Sequence, residues 1–239
     1  MRKRLVVLVL IAFALSHFIS KAAGGVTLLY PNLQAMPATE VRIESSSGHK
    51  LLRFTTTSWN SGNGPLELIA GAVDPDLSKQ LVYQRIYADG GARQDFLAGS
   101  FVWHSAHKHF HFEDYAEYRL RPVDGGSESY GAKVTFCVMD TDRVNTDLPG
   151  APRRAVYTTC GNKKQGISVG WGDTYGYRLQ GQSIDITGVA DGDYYLIMVI
   201  DPLNRIQETN ENDNTSQIRI HISGKRVRVI DGPAAAFAD

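Results

Sequence analysis

In the segment SQIRIHISG (residues 216–224), isoleucine stands at 218, 220 and 222, with Arg219 and His221 between them. A repeat of two puts alternate side chains on one side of an extended chain but scatters them around a helix. This segment can therefore bury its isoleucines together only as a strand. The signature recurs along the chain. LLRFTTTSWN (residues 51–60) is rich in β-branched and apolar residues and is stopped by SGNG, while LELIAG and LVYQRIYADGG each end on glycine. HKHFHFEDYAEYRL alternates aromatic and polar side chains, KVTFCVM alternates too, and VADGDYYLIMVIDP reads as a turn followed by an apolar strand. No amphipathic helix of ordinary length follows the N-terminal segment. Many short strands between glycine- and Asx-rich turns predict an all-β fold, an antiparallel β-sandwich. No Pro/Ser/Gly-rich linker divides the chain, so one domain is expected over residues 24–225, followed by a tail at 226–239. Residues 140–170 lack periodicity and predict a long loop.

Residues 1–23 stand apart from the sandwich. MRKR is a positive leader, LVVLVLIAFAL an apolar run, and SHFISKAAGG a set of small residues, which together read as a secretory signal cleaved near Ala22 or Ala23. The apolar run is shorter than the roughly 20 residues of a membrane span, and no later segment could cross a bilayer. The expected location is secreted or periplasmic. Such a compartment permits a disulfide between Cys137 and Cys160, the only two cysteines. A loop of that size contributes about 3 kcal/mol in the chain-entropy model. The 25 basic and 25 acidic residues balance, which argues against nucleic acid as a partner.

Four of the seven histidines fall within HSAHKHFH, at 104, 107, 109 and 111. If HKHFH is extended, His107, His109 and His111 share a face, and three imidazoles on one face suit copper or zinc. A flat strand would hold His107 and His111 roughly 13 Å apart at Cα, so curvature or a bulge is expected there. His104 is out of phase with the triplet and is expected beside the ligands or facing a substrate. Three histidines with an open position also describe catalytic zinc, so a zinc hydrolase or lyase stands as one alternative. A non-catalytic calcium-binding β-sandwich module is the other.

The segment FVWHSAHKHFHFEDYAEY resembles the metal-binding segment of the lysyl oxidase family, W-x-W-H-S-C-H-x-H-Y-H. Trp103, His104, Ser105, His107, His109 and His111 are in register; Ala106 stands where the family usually has cysteine, and Phe101 replaces the first tryptophan. The resemblance continues through LLRF, GAKVTFC (residues 131–137), GISVGWGDTYG and IDITGVADGDYYL, so that ordered matches run from Leu51 to Asn214. It implies a copper ion on His107, His109 and His111, with long loops of the sandwich around that copper site. It also implies lysine tyrosylquinone, a cofactor made by joining Lys133 to Tyr175. The implied activity is that of a protein-lysine 6-oxidase-like, copper-dependent amine oxidase. Primary amines, including peptidyl lysine, and oxygen would be its partners; aldehyde, ammonia and hydrogen peroxide would be its products. Asp173 and His104 are candidates for the proton-transferring group. IQETNENDN resembles a family loop that can hold calcium together with an early residue pair. Glu208, Asn210, Asp213 and Asn214, with Asn32 and Leu33, occupy the matching places, and Asn210 replaces an aspartate.

Overall fold

The structure, a computed structural model, describes residues 26–74 and 79–232; the secretory signal expected at residues 1–23 lies outside them. Among the described residues there is no helix, and every strand pairing is antiparallel. The first strands are β1 (Leu28–Leu29), β2 (Leu33–Ala35), β3 (Thr39–Ser46), β4 (His49–Asn60), β5 (Leu66–Asp74) and β6 (Lys79–Ala88). There follow β7 (Arg93–His104), β8 (His109–Phe112), β9 (Ala116–Pro122), β10 (Ser129–Tyr130), β11 (Asp142–Arg143) and β12 (Lys164–Ile167). The last are β13 (Trp171–Tyr175), β14 (Ser183–Asp185), β15 (Gly192–Ile200), β16 (Thr215–Ser223) and β17 (Arg226–Asp231).

They form three sheets. One runs β12-β5-β6-β7-β8, with β1 on β6; a second runs β10-β9-β15-β16-β17; the third runs β11-β13-β4-β14, with β2 and β3 also on β4. The core is the sandwich expected from the alternation. Ile218, Ile220 and Ile222 of β16 are all buried, and so are Leu120, Leu196 and Met198 from β9 and β15 and Leu33, Leu52, Phe54 and Ile184 from the β4 sheet. Tyr118 of β9 meets Phe54 of β4 edge-on at 4.9 Å, and its hydroxyl is 2.8 Å from Thr56 Oγ1. Ile220 is wholly buried in this layer. Ile220→Ala is expected to destabilise the fold by about 2–5 kcal/mol, transfer and cavity terms together, measured as a drop in the denaturant midpoint at unchanged slope.

Three sequence expectations are corrected. HKHFHFEDYAEYRL is not one strand: a turn over residues 105–108 precedes β8, and a second turn separates β8 from β9. KVTFCVM is not a ladder strand either. Phe136 makes an isolated bridge with Phe112, while other backbone groups are taken by side chains, Val138 N–H by Gln165 Oε1 at 2.9 Å and Cys137 N–H by the Tyr175 hydroxyl at 2.8 Å. Residues 226–231, expected in the tail, form β17 against β16. The stretch 140–170 is mainly loop but contributes β11 and β12.

Candidate active site

β7 and β8 form a hairpin in which His104 pairs with His109 and Val102 with His111. Residues directly opposite on antiparallel strands share a face, so His104 joins His109 and His111 from across the hairpin. His107 reaches them from the turn. There the N–H groups of His107 and Lys108 both donate to His104 O, at 3.1 and 2.8 Å, and Lys108 takes a left-handed φ of 57°. No bulge in an extended HKHFH is needed, because the turn removes the 13 Å separation that a flat strand would impose. Trp103 and Phe110 pack edge-on at 5.1 Å; they occupy the intervening positions, on the outer face of the hairpin.

The four imidazoles form one cluster. His109 Nε2 and His111 Nε2 are 2.8 Å apart, His107 Nδ1 is 3.5 Å from His111 Nε2, and the His104 ring stacks on those of His107 and His111 at 4.3 and 4.6 Å. Burial, then the neighbouring histidines and Lys133, lowers the pKa of His107 and His109, and burial pushes His111 down to about 3. Neutral imidazoles are the ligand form. Thr135 Oγ1, 3.0 Å from His111 Nδ1, leaves Nε2 of that ring aimed at its neighbours. His104 Nδ1 is buried without a partner. Ring nitrogens crowded against one another, with a further one orphaned, fit a borderline-soft cation such as copper.

A cavity of about 390 Å3 opens on this cluster, lined by His107, His109, His111, Lys133, Asp173 and Tyr175, with Met139, Leu179 and the Cys137–Cys160 disulfide completing its wall. Lys133 Nζ lies 5.0 Å from the centre of the Tyr175 ring and 4.7 Å from that of Phe136, which packs edge-on against Tyr175 at 4.9 Å. Burial brings the Lys133 pKa down to about 8. The Tyr175 hydroxyl accepts from Cys137 N–H and donates to Cys137 O, at 2.8 and 2.7 Å. The phenol is therefore held by the backbone of a disulfide-bonded residue. Asp173, on β13 like Tyr175, is 2% exposed; the Met139 N–H lies against its carboxyl and favours the charged form, while Oδ2 has no partner. Burial, with Asp140 and Asp142 nearby, raises its pKa well above the ordinary carboxylate range.

Residues 85–232, more than half of the chain, match the sequence model of the family described as Lysyl oxidase. The chain belongs to the lysyl oxidase family. It is 34% identical over 129 residues to lysyl oxidase homolog 4 of Mus musculus, covering 54% of this chain and 16% of that protein. It is 32% identical over 129 residues to lysyl oxidase homolog 2 of Xenopus tropicalis, with the same two shares, 54% and 16%. It is 27% identical over 193 residues to lysyl oxidase homolog 2B of Danio rerio, 80% of this chain and 21% of that protein. The chain thus spans about a sixth to a fifth of the length of these relatives. Among the described residues, no helix is long and apolar enough to cross a membrane.

Within this lysyl oxidase domain a second polar cluster closes the β15–β16 connection against β2. Glu208 accepts from Leu33 N–H and from Asn214 Nδ2 at 2.7 Å, and Asp213 Oδ2 accepts from Asn32 and Gln34 at 2.9 and 2.7 Å. Asp213 Oδ1 and Asn214 Oδ1 are buried without partners. Burial raises Glu208 to about 8. Two carboxylates not singled out from the sequence, Asp201 and Glu211, bring oxygens within 4.8 Å of one another and of Glu208. Asn210 is exposed, and its Oδ1 accepts from Asn212 N–H at 3.2 Å, forming the loop's own turn. Glu211 was visible in the acidic composition of the loop, but Asp201, at the end of β15, offered no such signal. Thr135 and the backbone of Cys137 were likewise unreadable from the sequence, since each acts by position.

Proposed function

We propose that this chain is an exported, copper-dependent amine oxidase that converts primary amines, peptidyl lysine among them, to aldehydes. The single observation that supports the reading most is the juxtaposition of Lys133 and Tyr175, two residues remote in the chain, in one cavity with three neutral histidines. A zinc hydrolase would have no use for that pair. His107, His109 and His111 would hold the copper. Copper with dioxygen supplies the oxidation of the Tyr175 ring to a quinone joined to Lys133, and that quinone supplies the electron sink for amine oxidation, releasing ammonia and hydrogen peroxide.

The chain's own groups prepare this chemistry. The apolar cover over Lys133 keeps about a tenth of the amine neutral at pH 7, where an exposed lysine would be almost wholly charged. Phe136 holds the amine and the Tyr175 ring side by side. The clamp on Cys137 fixes where the ring can turn, and the disulfide fixes the clamp. Asp173, which lines the cavity and has an unpaired Oδ2, holds or takes a proton beside a bound amine. A carboxylate whose pKa is raised by burial is a stronger base than an exposed one. His104 stacks against the ligands and orients His107 and His111.

The test is incubation of the purified protein with copper and oxygen, followed by phenylhydrazine. A visible adduct is expected, with a digest in which the Tyr175 peptide is joined to that of Lys133. Lys133→Ala should bind copper and give no linked peptide. Because only the neutral amine can add to the ring, the rate of colour formation should rise with pH through about 8 and level off above it. A rate independent of pH between 6 and 9 would remove Lys133 from the reading.

We also propose that the Glu208 cluster holds calcium. The unpartnered Asp213 Oδ1 and Asn214 Oδ1 and the acidic oxygens of Asp201 and Glu211 offer the hard ligands this ion takes. Calcium at about a hundred times its dissociation constant should add about 2.7 kcal/mol, and about 5–10 °C in melting temperature. Glu208→Gln should remove most of that rise, read by melting with and without a chelator.

A further inference from the structure

Three of the chain's four methionines, Met36, Met139 and Met198, fall among the described residues, and these three differ sharply in surroundings. Met198 is buried in the core, and Met36 lines a separate cavity with Thr39, Glu40, Thr55 and Asp142. Of these three, Met139 lines the cavity of the histidine cluster, Lys133, Asp173 and Tyr175. Its thioether sits 3.9 Å from Cys160 Sγ, so it forms one sulfur-rich wall with the disulfide. Its N–H lies against the Asp173 carboxyl and favours the charged form of that group. A thioether is soft, apolar and oxidisable, and its sulfoxide is polar and chiral.

We propose that Met139 is a modification site at which the peroxide made in this cavity limits the enzyme that makes it. The inference rests on the amine oxidase reading for its source of oxidant. The sulfur lone pair attacks one oxygen of hydrogen peroxide, the O–O bond breaks, and a proton shift releases water. Sulfur gains one oxygen and is oxidised by two electrons, while peroxide is reduced to water. The new oxygen stands on the side of the cavity formed with Leu179 and the disulfide, on the residue whose N–H lies against Asp173. It disfavours the alkyl chain of a bound amine and disturbs the base. The change is one that sulfoxide reductases can reverse.

The experiment uses the full mature protein loaded with copper and turning over n-butylamine, with catalase present to remove peroxide from bulk solution. Peptide mapping should find one added oxygen on Met139 several-fold sooner than on Met36, with Met198 unmodified. In a second arm, hydrogen peroxide is added without amine to the parent chain and to Met139→Leu, each rate being compared with that of its own untreated sample. The parent should lose rate in step with Met139 oxidation, and Met139→Leu should keep its rate. Equal oxidation of Met36 and Met139, or equal loss of rate in the two proteins, overturns the proposal. If the chain oxidises no amine at all, the amine oxidase reading fails separately. Mapping in the peroxide arm then decides alone whether the cavity directs peroxide to Met139.

Discussion

Tyr175→Phe should reduce amine oxidation to the uncatalysed level, a loss of about 10⁶-fold or more, while copper remains bound. The phenol oxygen is what lets the ring become a quinone, and no other tyrosine lines the histidine cavity. Copper should stay because its proposed ligands belong to the β7–β8 hairpin, which does not use Tyr175 to form. The structural cost is bounded. Phe keeps the edge-on contact with Phe136 but leaves Cys137 N–H and C=O without their phenol partner, a loss of about 1–3 kcal/mol. A melting curve separates that cost from the chemical one. Copper is to be counted by elemental analysis and activity by peroxide release. A Tyr175→Phe protein that still reacts with phenylhydrazine and releases peroxide from an amine would place the cofactor elsewhere.

Asp173→Asn should lower kcat by about 10²–10⁴-fold and still permit the phenylhydrazine adduct to form. Asn has the same shape and the β13 segment keeps its pairing with β4; only the proton-accepting oxygen is lost. The pH profile supplies the second readout. Burial raises the Asp173 pKa, so a rate that needs the ionised form rises with pH toward that value, and Asp173→Asn should flatten this limb. A purely structural role predicts a lower melting temperature with an unchanged profile. If Asp173→Asn keeps both rate and profile, the proton goes to another group, and His104, half-buried against the ligand histidines with a buried, unpartnered Nδ1, is the next to replace.

Much of the site was written in the chain, and much was not. The run HSAHKHFH pointed to a metal site, since imidazoles at alternate positions have few other uses, and the structure brings its four histidines together. The run did not announce the hairpin. The turn SAHK contains neither glycine nor proline, and its closure depends on Lys108 adopting a left-handed φ of 57°, which no residue type there advertises. His104 consequently reads as out of phase along the chain and sits in phase across it. Lys133 and Tyr175 were legible only through resemblance to a family, because a lone lysine and a lone tyrosine carry no spacing signal.

By itself the sequence determined the all-β class and the buried face of those strands that carry a clear period of two. Ile218, Ile220 and Ile222 had to lie on the inner side of a strand because a period of two leaves the polar residues no other arrangement. It also determined the chemical stock, four clustered histidines and one pair of cysteines. Only the tertiary structure decided what those groups meet. The folding of β7 on β8 brings four imidazoles together, and the pairing of β13 with β4 presents Tyr175 to Cys137 and Lys133. The reason is physical: periodicity is a local property that a chain states in every few residues, whereas a contact between positions 133 and 175 is the sum of many burial and pairing energies, none of which belongs to either residue.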